Sequence, residues 1–141
     1  GQLKADALAD LHTEDGVLSI WELANDGSEM RIAIALAATR QHTDVVDYVI
    51  FEDTRFSQLS ATIERSQGAT PDEFVNDLHR DVRSLTTQKL TDIAQELSQG
   101  RIERVQPARV KTLLMEALTT GKLDEGKMEP SLLTGLGKTQ P

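Results

Sequence analysis

Ser28-Glu29-Met30-Arg31-Ile32-Ala33-Ile34-Ala35-Leu36-Ala37-Ala38-Thr39-Arg40-Gln41 decides the fold of this chain, because it can be read with two periods. Ile32, Ile34 and Leu36 alternate as a strand would, closing a hairpin across Asn25-Asp26-Gly27. Against that, Ala33, Ala35, Ala37 and Ala38 are poor strand formers, Ser28 is a good N-cap, and Ile32, Ala35 and Leu36 form a helical stripe. Propensity favours the helix. Its flanks, 17–23 (Val-Leu-Ser-Ile-Trp-Glu-Leu) and 45–51 (Val-Val-Asp-Tyr-Val-Ile-Phe), carry the branched and aromatic residues that suit a pleated surface. With a helix between them the two strands form a crossover and lie parallel; with a strand between them the region is an antiparallel meander.

Working outward, Leu3, Ala7, Leu8 and Leu11 share one face of a short helix over 3–12, and Phe56, Leu59 and Ile63 suggest another ending near Gly68. Residues 70–100 carry the signals of one long helix from about 71 to 99. Thr70 is its N-cap, Pro71 its first helical residue, Glu73 the partner of a capping box, and Gly100 its stop. Val75, Leu78, Val82, Thr86, Leu90, Ile93 and Leu97 recur every three or four residues between these ends. Asp72, Glu73, Asp77, Asp81, Asp92 and Glu96 would face outward beside this stripe. At 1.5 Å per residue such a helix runs about 43 Å, beyond the roughly 26 Å diameter of a compact domain this size, so a second copy is the expected cover. A break would fall at Thr86-Thr87-Gln88. Beyond Gly100, Arg101 to Val105 reads as a brief edge strand, and Pro107 opens a last helix that Gly121 ends.

The expected fold is α+β: a small two- or three-stranded sheet covered by helices, with a helical C-terminal half containing the long helix. One domain is expected over 1–121 and an arm or flexible tail over 122–141. A domain cut from a longer chain also fits the stop after Lys138-Thr139.

Composition excludes several classes. The chain of 141 residues has no cysteine, which removes thiol catalysis, cysteine-ligated zinc and disulfides, and suits a reducing cytoplasm. No apolar run is long enough to span a bilayer. A formal charge of −8 disfavours nucleic acid and anionic membranes and favours a basic protein partner. The acid excess lies before Gly100, with 8 basic against 18 acidic residues, while 101–141 holds 7 basic against 5 acidic.

Thr134-Gly135-Leu136-Gly137-Lys138-Thr139 resembles the second half of the phosphate-binding loop of helicase-type nucleotide hydrolases. Leu132 stands where that loop needs a small residue, and no helix can follow within this chain. Glu22 ends the first strand, and Glu52 and Asp53 end the second. On adjacent parallel strands these carboxylates could hold a divalent metal for phosphoester hydrolysis, similar to small metal-dependent nucleases, although no Glu-x-Lys pair accompanies them. Arg101, Arg104, Arg109 and Lys111 gather around Pro107 and could bind an anionic group. His12, His42 and His79 have no ligand spacing, with His79 on the polar side of the long helix. Trp21 reads as core or interface. These signals make a non-enzymatic interaction or regulatory module, homodimeric and acid-surfaced, the first expectation, with no cofactor or metal. The metal-dependent hydrolase is the alternative.

Overall fold

The sheet is built on the two apolar runs. In a computed structural model, which describes residues 2–6, 18–23, 28–52, 62–83 and 86–138, they become β2 (Leu18–Glu22) and β3 (Val46–Glu52), joined through α1 (Ser28–Ala37). The helical reading of 28–41 holds. Its double period has a physical cause: α1 is wedged between two apolar clusters and buried nearly all round. Ala33, Ile34 and Ala37 enter one cluster, and Ile32, Ala35 and Leu36 the other. A helix covered on both sides carries no polar face to betray its period.

β2 and β3 run in the same direction, as a crossover requires, but they are not neighbours. β1 (Gln2–Asp6) lies antiparallel between them, with Leu3 opposite both Glu22 and Phe51. The helix expected over 3–12 is therefore a strand over its first part, and residues 7–12 lie outside the described residues. Two strands, each with an unpaired edge, offer this segment more backbone hydrogen bonds than a lone helical turn would, and this outweighs its propensity.

The long helix expected over 71–99 survives only at its ends. Residues 73–76 form a helical turn, α2 (Glu73–Asn76), and 87–97 form α3 (Thr87–Leu97), but His79–Arg83 is strand β5. β5 pairs with β2 on one side and with β4 (Thr62–Arg65) on the other. Val75, Leu78 and Val82 fit a helical period, yet the open edge of β2 claims the middle of the segment. Ile63 accordingly lies in a strand and not in a helix, while Phe56 and Leu59 are outside the described residues. The caps move with the elements. Asp72, not Thr70, caps α2 by accepting from the Phe74 and Val75 N–H groups, and Thr86 Oγ1 accepts from the Lys89 N–H at the start of α3.

β6 (Arg101–Val105) is the expected edge strand, paired with β3. The sheet order is β4-β5-β2-β1-β3-β6, antiparallel throughout. It amounts to a three-stranded and a two-stranded part joined by β1, so the fold class is α+β with more strands than expected. α4 (Pro107–Thr119) follows β6. It ends at Gly121, whose φ of 75° lets Lys122 N–H reach the Ala117 carbonyl at 2.9 Å.

One sheet face, with Val46, Tyr48, Ile50 and Val105, packs on α1, α4 and the segment after it. Ile20, Val49 and Val82 alternate with these and take the opposite face, where α3 lies against β3 and Ile93 is buried. Residues 122–138, expected as an arm, are folded into the core. Leu123, Met128, and Leu132 and Leu133 of α5 (Pro130–Gly135) join the main cluster with Leu136. The Asp124 N–H donates to Pro71 O at 2.9 Å, and Ser131 Oγ donates to Gln41 O at 2.9 Å. No helix among the described residues is long and apolar enough to cross a membrane.

Candidate functional site: the Arg31–Asp72 cleft

A cleft of about 490 Å³ opens where α1, the α2 cap and α4 meet. Met30 and Ile34 come from α1, Phe74 from α2, Leu113 and Ala117 from α4, and Leu123 from the segment beyond; together they supply an apolar lining. Its polar centre is Arg31 with Asp72. Arg31 Nε and Nη2 donate to the two carboxylate oxygens at 2.7 and 3.0 Å, a bidentate pair. Asp72 Oδ1 also accepts from Phe74 N–H at 3.0 Å and Val75 N–H at 3.4 Å. With its side chain 2% exposed, Asp72 is a buried charge satisfied by four donors rather than one of the outward-facing acids expected from the sequence. The Arg31 guanidinium lies 4.4 Å over the Phe74 ring, which fixes its plane.

Thr70 and Asn76 hold this corner from behind. The Thr70 N–H and hydroxyl both donate to Asn76 Oδ1, at 2.8 and 2.7 Å, and Asn76 Nδ2 donates to Thr70 O at 2.9 Å. Thr70 Oγ1 accepts from Asp72 N–H at 3.1 Å. The hydroxyl read as a helix cap therefore organises the turn that presents the true cap.

Among the described residues that line the cleft there is no histidine, and Glu116 is the second carboxylate beside Asp72. Glu116 and Lys122 stand at its rim on exposed residues, and Thr120 Oγ1 donates to Glu116 O. What the cleft offers is an apolar contact surface around a fixed ion pair, with Ser28, Glu116, Thr120 and Lys122 as its other polar lining.

The residues singled out from the sequence lie elsewhere. Glu22 is on β2, where Arg80 Nη2 donates to it at 2.9 Å. Glu52 is on β3 opposite Gln2, with β1 intervening, so the two backbones stand about 10 Å apart by strand spacing. Asp53 is outside the described residues. The adjacent strand ends on which the hydrolase reading depended are not formed, and no three metal-ligating side chains cluster among the described residues. The phosphate-loop resemblance fails in space too. Leu132 is core, Gly135 ends α5, and Lys138 pairs with Glu125 at 3.1 Å.

The basic cluster divides. Arg101 pairs with Glu29 and with Glu103, and Arg104 makes a bidentate pair with Asp47 at 2.6 and 2.9 Å. The Arg104 hydrogen bond, outweighing an opposing effect of burial, holds the Asp47 carboxyl below its ordinary value. Arg109 and Lys111 are exposed on α4, with no ion pair to another described residue. Two of the four cations are thus ion-paired within the chain, both with side chains still 60% exposed.

His79, expected on a polar helix face, is buried on β5. Its Nδ1–H donates to Ser66 O at 3.1 Å, and its ring meets Trp21 edge-on at 5.1 Å. Trp21 is core, as expected, and its buried Nε1–H has no hydrogen-bond partner among the described residues.

No protein-family model, curated protein or solved structure matches this chain.

Proposed function

We propose that the chain is a non-enzymatic protein-interaction module whose α1–α2–α4 cleft receives an apolar side chain of a protein partner. The cleft itself carries this reading. It pairs an apolar lining, of a volume usual for binding pockets, with an Arg31–Asp72 centre whose hydrogen bonds are already made. Such a site holds rather than transforms. The net charge of −8 favours a basic partner, and the absence of cysteine suits a cytoplasmic setting. The homodimer expected from an overhanging helix loses that basis, because the helix is interrupted by β5; a different surface supports self-association, as argued below.

Thr120 is exposed and lines the cleft, so Thr120→Trp should fill it without disturbing the core. Affinity capture from native extract with the wild-type chain should enrich a protein that the Thr120→Trp chain, unfolding at the same temperature, retains several-fold less. Equal recovery by both baits would remove the cleft from the interaction.

A further inference from the structure

A different surface points to a specific self-contact. Among the described residues β6 is an outer strand of the sheet, and the most exposed large apolar residue, Ile102 at 58%, is the second of its five residues. Open strand edges are templates for pairing, and soluble proteins usually blunt them with charge. The charges of β6 do not simply repel a second copy. They select one alignment with it.

When two identical strands pair antiparallel about a two-fold axis perpendicular to the sheet, directly opposed residues share a face, so the axis must pass through a residue. Centred on Arg101 or Arg104, the pairing sets like charges against each other. Centred on Glu103, it opposes two carboxylates and places Ile102 against Arg104. Centred on Ile102, it stacks the two exposed isoleucines and sets Arg101 of each copy opposite Glu103 of the other, twice over. Only this last register is both apolar at its centre and charge-complementary around it. Within one chain Arg101 bonds Glu29 and lies 3.2 Å from Glu103, yet the Arg101 and Glu103 side chains remain 60% and 42% exposed, so both still reach solvent at the edge.

We propose that the chain forms a homodimer by antiparallel β6–β6 pairing centred on Ile102, fusing two six-stranded sheets into one continuous sheet. Main-chain hydrogen bonds supply the association, and the Arg101–Glu103 pairs fix the register.

The cysteine-free sequence allows a direct test. In this register residue 102 faces its own copy at a Cα separation of about 4.5 to 5.5 Å, within disulfide range. Ile102→Cys should therefore cross-link to a dimer under mild oxidation, while Ile63→Cys on the opposite edge strand should not. By sedimentation, the wild type should dimerise with rising concentration. Ile102→Lys, at an exposed site that leaves the unfolding temperature unchanged, should raise the dissociation constant about tenfold or more. Arg101→Glu and Glu103→Arg should each weaken the dimer, and the double exchange should restore it. A wild type that stays monomeric at every concentration would overturn the proposal. So would a dimer indifferent to Ile102→Lys, or charge exchanges that fail to rescue one another.

Discussion

Tyr48 is the single tyrosine of the chain, and it is buried on β3 beside the acidic residues Glu29 and Glu103. Burial first, and then those two carboxylates, push its phenol up to about 12 from the usual 10. Because the folded pKa is the higher one, the neutral ring's contribution to stability is complete below about pH 10 and is lost as pH rises towards 12. Phenolate absorbance should therefore appear only near pH 12 in the folded chain and near 10 in denaturant. A folded-state midpoint at the ordinary value would contradict the burial. Asp72 permits a second test at this scale. Asp72→Ala removes both the α2 cap and the partner of Arg31 and should cost about 3 kcal/mol in urea unfolding. Asp72→Asn keeps the capping oxygen but loses the charge and sets an amide NH2 against the Arg31 Nε–H, so it should cost less than Asp72→Ala by about the worth of the cap, ~1 kcal/mol. Sequence alone could not have found this pair, since Arg31 and Asp72 are 41 positions apart and neither spacing nor motif links them. The visible signal was that Thr70 and Asp72 flank Pro71 at a helix start, and it identified the turn while assigning the cap to the wrong residue.

Among elements, legibility followed how much of an element's stability is local. α1, β2, β3, β6 and α4 could be read because their caps, turns and apolar runs lie within the segment itself. β1 and β5 could not, because each is a strand only through the edges of its neighbours, β2 and β3 for β1, and β2 and β4 for β5. The Val75, Leu78 and Val82 spacing satisfies a helix as well as it does a turn followed by a strand, so the choice rests on tertiary hydrogen bonds. Local devices at the true boundaries should still be measurable. Thr86→Ala removes the hydroxyl that accepts from Lys89 N–H and should cost about 1 kcal/mol. Gly121→Ala should cost a similar amount through strain alone. A β-carbon there meets nothing within 4 Å, but the backbone φ is 75°. Thermal unfolding of the two variants checks both, and an unchanged midpoint for Gly121→Ala would mean that the α4 terminus relaxes.

At the scale of the whole molecule, residues 122–138 are the least expected contribution. Read as polar and glycine-bearing, they nonetheless place Leu123, Met128, Leu132, Leu133 and Leu136 in the main cluster. Each buried side chain of this kind is worth about 1.5 to 3 kcal/mol, so together they match the whole stability of an ordinary domain. A chain ending at Gly121 should therefore lose cooperative unfolding and bind hydrophobic dyes. Retention of a sharp transition with the full-length urea dependence would assign the segment a peripheral role. The apolar residues here were visible in the sequence; what hid their importance was their sparse spacing among polar neighbours, which gave no helical stripe longer than α5.

The position of β1 also governs the tempo of assembly. Among the described residues, β4-β5-β2 and β3-β6 are joined into one sheet only through residues 2–6. The pairings β1–β3, β2–β5 and β3–β6 each close loops of some forty to sixty residues. Such long closures must be made before they are rewarded, which places refolding in the millisecond-to-second range rather than the microsecond range of helical domains of similar length. In stopped-flow refolding followed through Trp21, which belongs to the three-stranded part, and Tyr48, which belongs to the two-stranded part, both signals should rise with one rate set by capture of β1. Two separate rates would mean that the halves mature independently and that β1 closes the seam between finished parts.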